Sequence, residues 1–150
     1  MNKFDALYHD IAERVSQLSR AKRLQVGAVI VKDHRILSYG YNGTPPGFDN
    51  NCEIEIPEEV DLSSRTITPA RLVTKPEVIH AEMNAIAKVA RSHDSCLDAT
   101  LYLTHSPCVE CSKAILQAGI ASVQYRLDYR SDDGIALLRS AGVDVQKNSL

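Results

Sequence analysis

Ile79-His-Ala-Glu-Met-Asn-Ala-Ile86 and then Thr100-Leu-Tyr-Leu-Thr-His-Ser-Pro-Cys-Val-Glu-Cys111 are the stretches that decide how this 150-residue chain folds. In the first, Met83, Ile86, Ala87 and Ala90 recur at helical spacing, which predicts a helix from about His80 to Arg91. In the second, Thr100–Thr104 predicts a strand. A helix from Cys108 to Gln117 follows it, with Gly119 as the stop signal. Helix, strand and helix in this order imply a sheet covered by helices.

Outward from this centre the pattern continues. Phe4, Leu7, Ile11, Val15 and Leu18 form an apolar stripe and predict a core-packing helix over residues 3–18. Val26–Val31 and Ile36–Tyr41 flank the turn at Lys32–Arg35 and predict a β-hairpin. Asn42-Gly-Thr-Pro-Pro-Gly47 is the densest turn signal. Residues 48–78 have little periodicity and predict a long irregular loop with one short helix. Beyond the centre, Ala121–Arg126 predicts a strand, Ile135–Ser140 a short helix and Val143–Val145 a last strand. The resulting order, α-β-β-α-β-α-β-α-β, predicts an α/β fold: one three-layer α-β-α domain over 1–150 with a five-stranded mixed sheet.

Composition bounds the function. The chain is 44% hydrophobic and 24% charged, with a net charge of -2, which fits one soluble domain and argues against a general nucleic-acid binder. No apolar run approaches the roughly 20 residues that span a bilayer, so no membrane partner is expected. The start, Met1-Asn-Lys-Phe-Asp5, lacks a secretory core, so a cytoplasmic location with reduced cysteines is expected.

The chemistry lies in His80, Cys108 and Cys111, three residues of zinc-ligand type, and in Glu82, a carboxylate not needed to hold a metal. Cys108 and Cys111 are three apart, so a helix puts both thiols on one face, in a first turn where the dipole favours thiolate. Pro107 suits the position just ahead. His80 and Glu82 are two apart, and helical periodicity alone does not place them together. A catalytic zinc keeps one position open for water, and a neighbouring carboxylate can then shuttle protons. A structural zinc site would instead need a fourth protein ligand and no Glu82. Cys52 and Cys96 lie far apart in sequence with no ligand-like neighbour, His9 and His93 are expected on solvated helix faces or ends, and His34 falls in the hairpin turn. His105 follows a strand near the metal motif, and the bland reading is preferred for it.

His-x-Glu followed by Pro-Cys-x-x-Cys is the signature of zinc nucleobase deaminases. With Ser19–Val31, the Gly40-Tyr-Asn-Gly-Thr-Pro45 loop, and Val123 through Tyr129, the chain resembles the cytidine deaminase superfamily, and within it the deoxycytidylate (dCMP) deaminases. The resemblance spans about residues 3–145. It implies one catalytic Zn2+ per subunit on His80, Cys108 and Cys111, with Glu82 as the catalytic proton shuttle. It also implies ring contacts from Val26, Gly27, Ala28 and the Ala81 and Ser106 backbones, and sugar or phosphate contacts from Arg23, Asn42 and Tyr129. The expected reaction is dCMP to dUMP and ammonia, feeding thymidylate synthesis. A homohexamer is implied, with Arg91 at a subunit interface. Activation by dCTP with Mg2+ and inhibition by dTTP are implied too, at Asn42, Gly43 and Asp49. Some relatives carry a structural zinc on a cysteine where this chain has Ala21. Residues 53–79 hold no histidine, so a single zinc is expected. The alternatives are a tRNA adenosine or free-base deaminase, a zinc-stabilised nucleotide-binding module without activity, and a nucleotide sensor.

Overall fold

Asn2 opens the fold as a helix cap. Its side chain accepts from the N–H groups of Phe4 and Asp5, each at 2.9 Å, while Asp5 accepts from the Asn2 N–H at 3.1 Å. The computed structural model describes residues 1–149. Leu150, which the sequence reading includes in the domain, lies outside the described residues.

Helix α1 (Lys3–Ser16) leads into the hairpin β1 (Gly27–Lys32) and β2 (Arg35–Tyr41). An arm follows, made of β3 (Glu53–Ile56), β4 (Glu59–Asp61), β5 (Thr66–Thr68) and β6 (Arg71–Thr74). Then come α2 (Ala81–Ala90), β7 (Thr100–His105), α3 (Val109–Gln117), β8 (Ser122–Leu127), α4 (Asp133–Ser140) and β9 (Asp144–Lys147). The main sheet has five strands in the order β2-β1-β7-β8-β9. β1 runs antiparallel to β2 and β7, while β7, β8 and β9 are parallel, so the sheet is mixed.

Strand alternation divides the core. Ala28 and Ile30 of β1 face a cluster with Ala81, Ala85, Val89, Ile115, Ile135 and Leu138, under α2, α3 and α4. Val29 and Val31 face the opposite way, onto Tyr8 and Ala12 of α1. Helices therefore cover both faces, in the three layers expected. Among the described residues, no helix is long and apolar enough to cross a membrane.

Two expectations are corrected. The stripe on α1 is rotated: Phe4, Leu7 and Leu18 are exposed, and Tyr8, Ala12 and Val15 are buried. The cause is a close approach of backbones, since a Cβ on Gly27 would lie 2.0 Å from the Ala12 carbonyl oxygen. The helix therefore seats along its small residue rather than its largest ones. Residues 48–78 contain no helix. Instead β3 pairs with β6, and β4 with β5, as two antiparallel ladders. Pro57 and Pro69 lie between the ladders, where a missing N–H is tolerated. These strands are three or four residues long and mostly exposed, so the alternation in Glu53-Ile-Glu-Ile56 and Thr66-Ile-Thr68 is too short to mark a strand by itself.

A polar network lies under α1. His9, expected on a solvated helix face, is instead 1% exposed, because the rotated α1 turns it toward the sheet; it contacts Asn148 at 3.0 Å, and Asn148 donates on to Gln124. Gln124 and Tyr102 both donate to Asp5, at 3.3 and 2.6 Å. Burial, then the charge of Arg126, pulls His9 from 6.5 down to about 4, against the opposing carboxylates of Asp5 and Asp10. The unfolded chain thus binds more protons than the folded one between these values. The His9 contribution to stability is complete above pH 6.5 and is lost as pH falls toward 4. Thermal unfolding across this window should show a steeper fall for the protein than for His9→Gln. Parallel curves would remove His9 from the acid response.

Candidate metal centre and cavity

His80 is the N-cap of α2, with extended backbone at φ -67° and ψ 155°. It stands outside the helical period, and this resolves the spacing problem. An extended residue followed by a first-turn residue can aim His80 and Glu82 into one site. The approach to His80 is held from two sides. Gly43 and Ile79 exchange backbone hydrogen bonds of 3.1 and 2.8 Å, and Asn84 Nδ2 donates to the Tyr41 carbonyl at 2.8 Å.

Cys108 is likewise the N-cap of α3, and its Sγ lies 3.5 Å from the Cys111 N–H that donates to it. His80 Nδ1 lies 3.7 Å from Cys108 Sγ and 3.3 Å from Cys111 Sγ. Zinc bond lengths in a tetrahedron place a nitrogen and a sulfur about 3.5 Å apart. The donor set therefore fits zinc in both chemistry and spacing. Among the described residues this is the one such cluster of donors.

Glu82 is 4% exposed beside these donors. Burial pushes its carboxyl up, against hydrogen bonds from its own N–H and Cys111 and against the charge of His80. Burial also pushes the Cys111 thiol up, helped by Glu82 and Cys108. A cation held among these donors would favour the thiolate form.

The donors and Glu82 open into a cavity of about 600 Å³. Arg23, Val26, Asn42, Ala81, Ser106 and Tyr129 line it. Gly27 and Ala28 do not line it. Gly27 is packed under α1, with its N–H donating to Thr104 Oγ1, and Ala28 is fully buried in the core. Asn42 spends its side chain on the backbone, accepting from Val26 N–H at 2.9 Å and donating to the Leu24 carbonyl at 2.8 Å. It braces the wall that carries Arg23. Glu53 braces the same segment, both carboxylate oxygens accepting from Lys22 N–H. Arg23 donates to Thr74 at 3.0 Å. Asp49 pairs with Lys75 at 3.2 Å, and Arg91 caps the exposed far end of α2. Neither lines the cavity.

Sequence reasoning missed the opposite wall. His105, Asp128, Arg130 and Lys147 line the cavity from the ends of β7, β8 and β9. Parallel pairing sets His105 against Leu127, and the chain turns there into Asp128–Arg130. Lys147 pairs with Asp128 at 2.6 Å, and the Arg130 guanidinium lies 5.1 Å over the Tyr129 ring. The available signal was general: ligands bind beyond the carboxyl ends of parallel strands.

Residues 2–127 match the cytidine and deoxycytidylate deaminase zinc-binding region. A deoxycytidylate deaminase of Enterobacteria phage T4 is 37% identical, over 90% of this chain and 84% of its own. The deoxycytidylate deaminase of Homo sapiens is 36% identical, over 88% of this chain and 72% of its own. A dCMP deaminase from the cyanophage S-TIM5, solved in complex with dCMP and dUMP, superposes with a TM-score of 0.81 at 41% identity. It covers 100% of this chain and 99% of that one. Motif, geometry and whole-chain similarity agree, and the chain belongs to the cytidine and deoxycytidylate deaminase family as a zinc-binding deaminase.

Proposed function

We propose that this chain hydrolyses dCMP to dUMP and ammonia. The observation that carries the reading is the buried Glu82 beside the His80, Cys108 and Cys111 donors, at one end of a cavity with basic walls. Zinc bound there supplies a Lewis acid and a water acidic enough to lose a proton near neutral pH. Glu82 would carry two protons in turn, the first from the attacking water to the ring nitrogen and the second from the added hydroxyl to the departing amine, which leaves as ammonia. Ala81 and Ser106 border the ring site. The Ser106 N–H already donates to the Leu127 carbonyl at 2.9 Å, which leaves the Ser106 carbonyl for the exocyclic amine. Val26 packs against the ring, and Arg23 and Tyr129 face the sugar and phosphate. A phosphate favours such charged donors.

The finer parts of the reading concern regulation and context. dCTP with Mg2+ activates and dTTP inhibits, through Asn42, Gly43 and Asp49. The Gly43–Ile79 bridge supports this, because it joins that loop to the residue before His80. The chain acts in the cytoplasm as one domain, 1–150, and assembles as a hexamer with Arg91 at the contact. Its dUMP feeds thymidylate synthesis.

Ammonia release from dCMP, deoxycytidine, CMP and dCTP, each with and without dCTP-Mg or dTTP, tests this reading. Turnover largely confined to dCMP, raised by dCTP and lowered by dTTP, is expected. Turnover without a nucleotide response would remove the regulatory part. No turnover of any cytosine nucleotide by zinc-loaded protein would overturn the reading.

A further inference from the structure

His105 stands in the cavity with its ring orientation already set. The Gly27 N–H donates 3.0 Å to Thr104 Oγ1, and that oxygen lies 2.8 Å from His105 Nδ1. An amide N–H only donates, so the Thr104 oxygen is the acceptor in the first bond. Its hydroxyl carries one proton and makes no other hydrogen bond among the described residues. Donation of that proton to Nδ1 leaves no buried hydroxyl hydrogen unpaired, and this assigns the ring proton to Nε2. Thr104 is 2% exposed, which shields this relay from water. The His105 ring sits edge to face with Tyr129, centroids 6.4 Å apart at 79°. Nε2 has no protein partner among the described residues, and His105 lines the cavity.

Position then selects the ligand group. Three residues beyond His105 is the metal donor Cys108. Across the parallel register is Leu127, from which the chain enters Asp128, Tyr129 and Arg130. His105 therefore lines one cavity with both Glu82 and the basic rim of Arg130 and Lys147. A nucleotide with its base at Glu82 and its phosphate at that rim would pass its sugar along the wall that His105 helps to form. One fixed N–H suits a hydroxyl oxygen, whereas a phosphate calls for guanidinium or ammonium groups.

We propose that His105 is a specificity-determining residue whose Nε2–H donates to the sugar 3′-hydroxyl of the nucleotide, and that Thr104 is the positioning residue that fixes this donor. The proposal rests on the dCMP reading above.

The test compares kcat/KM for dCMP and 2′,3′-dideoxy-CMP, with zinc content and melting temperature checked for each variant. The wild-type protein should prefer dCMP by roughly ten- to a hundredfold, the range for a lost hydrogen bond that strands its partner. His105→Phe should lose about that factor on dCMP and change little on the dideoxy substrate. His105→Gln, which keeps a donor at similar reach, should recover much of the preference. Thr104→Val should shrink the preference and Thr104→Ser should restore it, a comparison that stands even if His105→Phe does not fold. Equal losses on both substrates, or an unchanged preference in Thr104→Val, would overturn the proposal. A wild-type protein that turns over no dCMP would remove the dCMP reading and this proposal together. Turnover of dCMP with equal rates on the two substrates removes this proposal alone.

Discussion

Glu82→Gln should lower dCMP turnover by roughly 10²- to 10⁴-fold, the usual range for loss of a general acid–base group. The substitution keeps the size of the side chain and removes its ability to take a proton. Glu82 is buried but is not one of the clustered donors, so zinc bound per chain should not change. The informative measurement pairs ammonia release with metal content on the same preparation. Low turnover with full zinc assigns the proton-transfer role. Undiminished turnover would refute it, and joint loss of zinc and turnover would instead make Glu82 part of the metal cage.

Cys111→Ala should have the larger effect on the folded protein. Cys111 is 2% exposed and lies 3.3 Å from His80 Nδ1, so its removal leaves two donors around a hole. Turnover should fall by more than the roughly 10- to 100-fold that follows loss of a hydrogen-bond partner behind a ligand. Zinc content should fall with it, and so should the melting temperature, because metal held only by the folded state stabilises that state. Wild-type protein stripped by chelator should regain activity on adding zinc, while the variant should not. A variant that retained one zinc and full turnover would remove Cys111 from the ligand set.

The metal centre was legible because its chemistry is local. His80, Cys108 and Cys111 are uncommon types at short spacings, each at the start of a helix. What periodicity could not supply was the joint aim of His80 and Glu82. That depends on His80 being an extended cap, a property of one residue's backbone. The wall of His105, Asp128, Arg130 and Lys147 was not legible, because register between distant strands assembles it. Asn42 and Gly27 show a further limit. Both sit where the family resemblance pointed, yet one is spent on backbone and the other lies under α1. The rotation of the buried face of α1 followed from the same missing Cβ, a steric fact invisible to a count of apolar residues. The arm escaped because its alternation, as in Glu53-Ile-Glu-Ile56, is broken by Pro57 and Pro69 into pieces of three or four residues.

The arm itself has a consequence for how this scaffold can change. The chain leaves through Glu53 and returns through Thr74, two residues paired directly across one ladder, and Leu62 near its tip is 87% exposed. Everything beyond that pair is a side branch hung from a closed stem. Its length and tip can be rewritten at small entropic cost without moving the ends of the stem, and exposed tips are where insertions are best tolerated. The deaminase body thus carries a graft point, at which a new epitope, tether or recognition loop could be added while the chemistry is inherited unchanged.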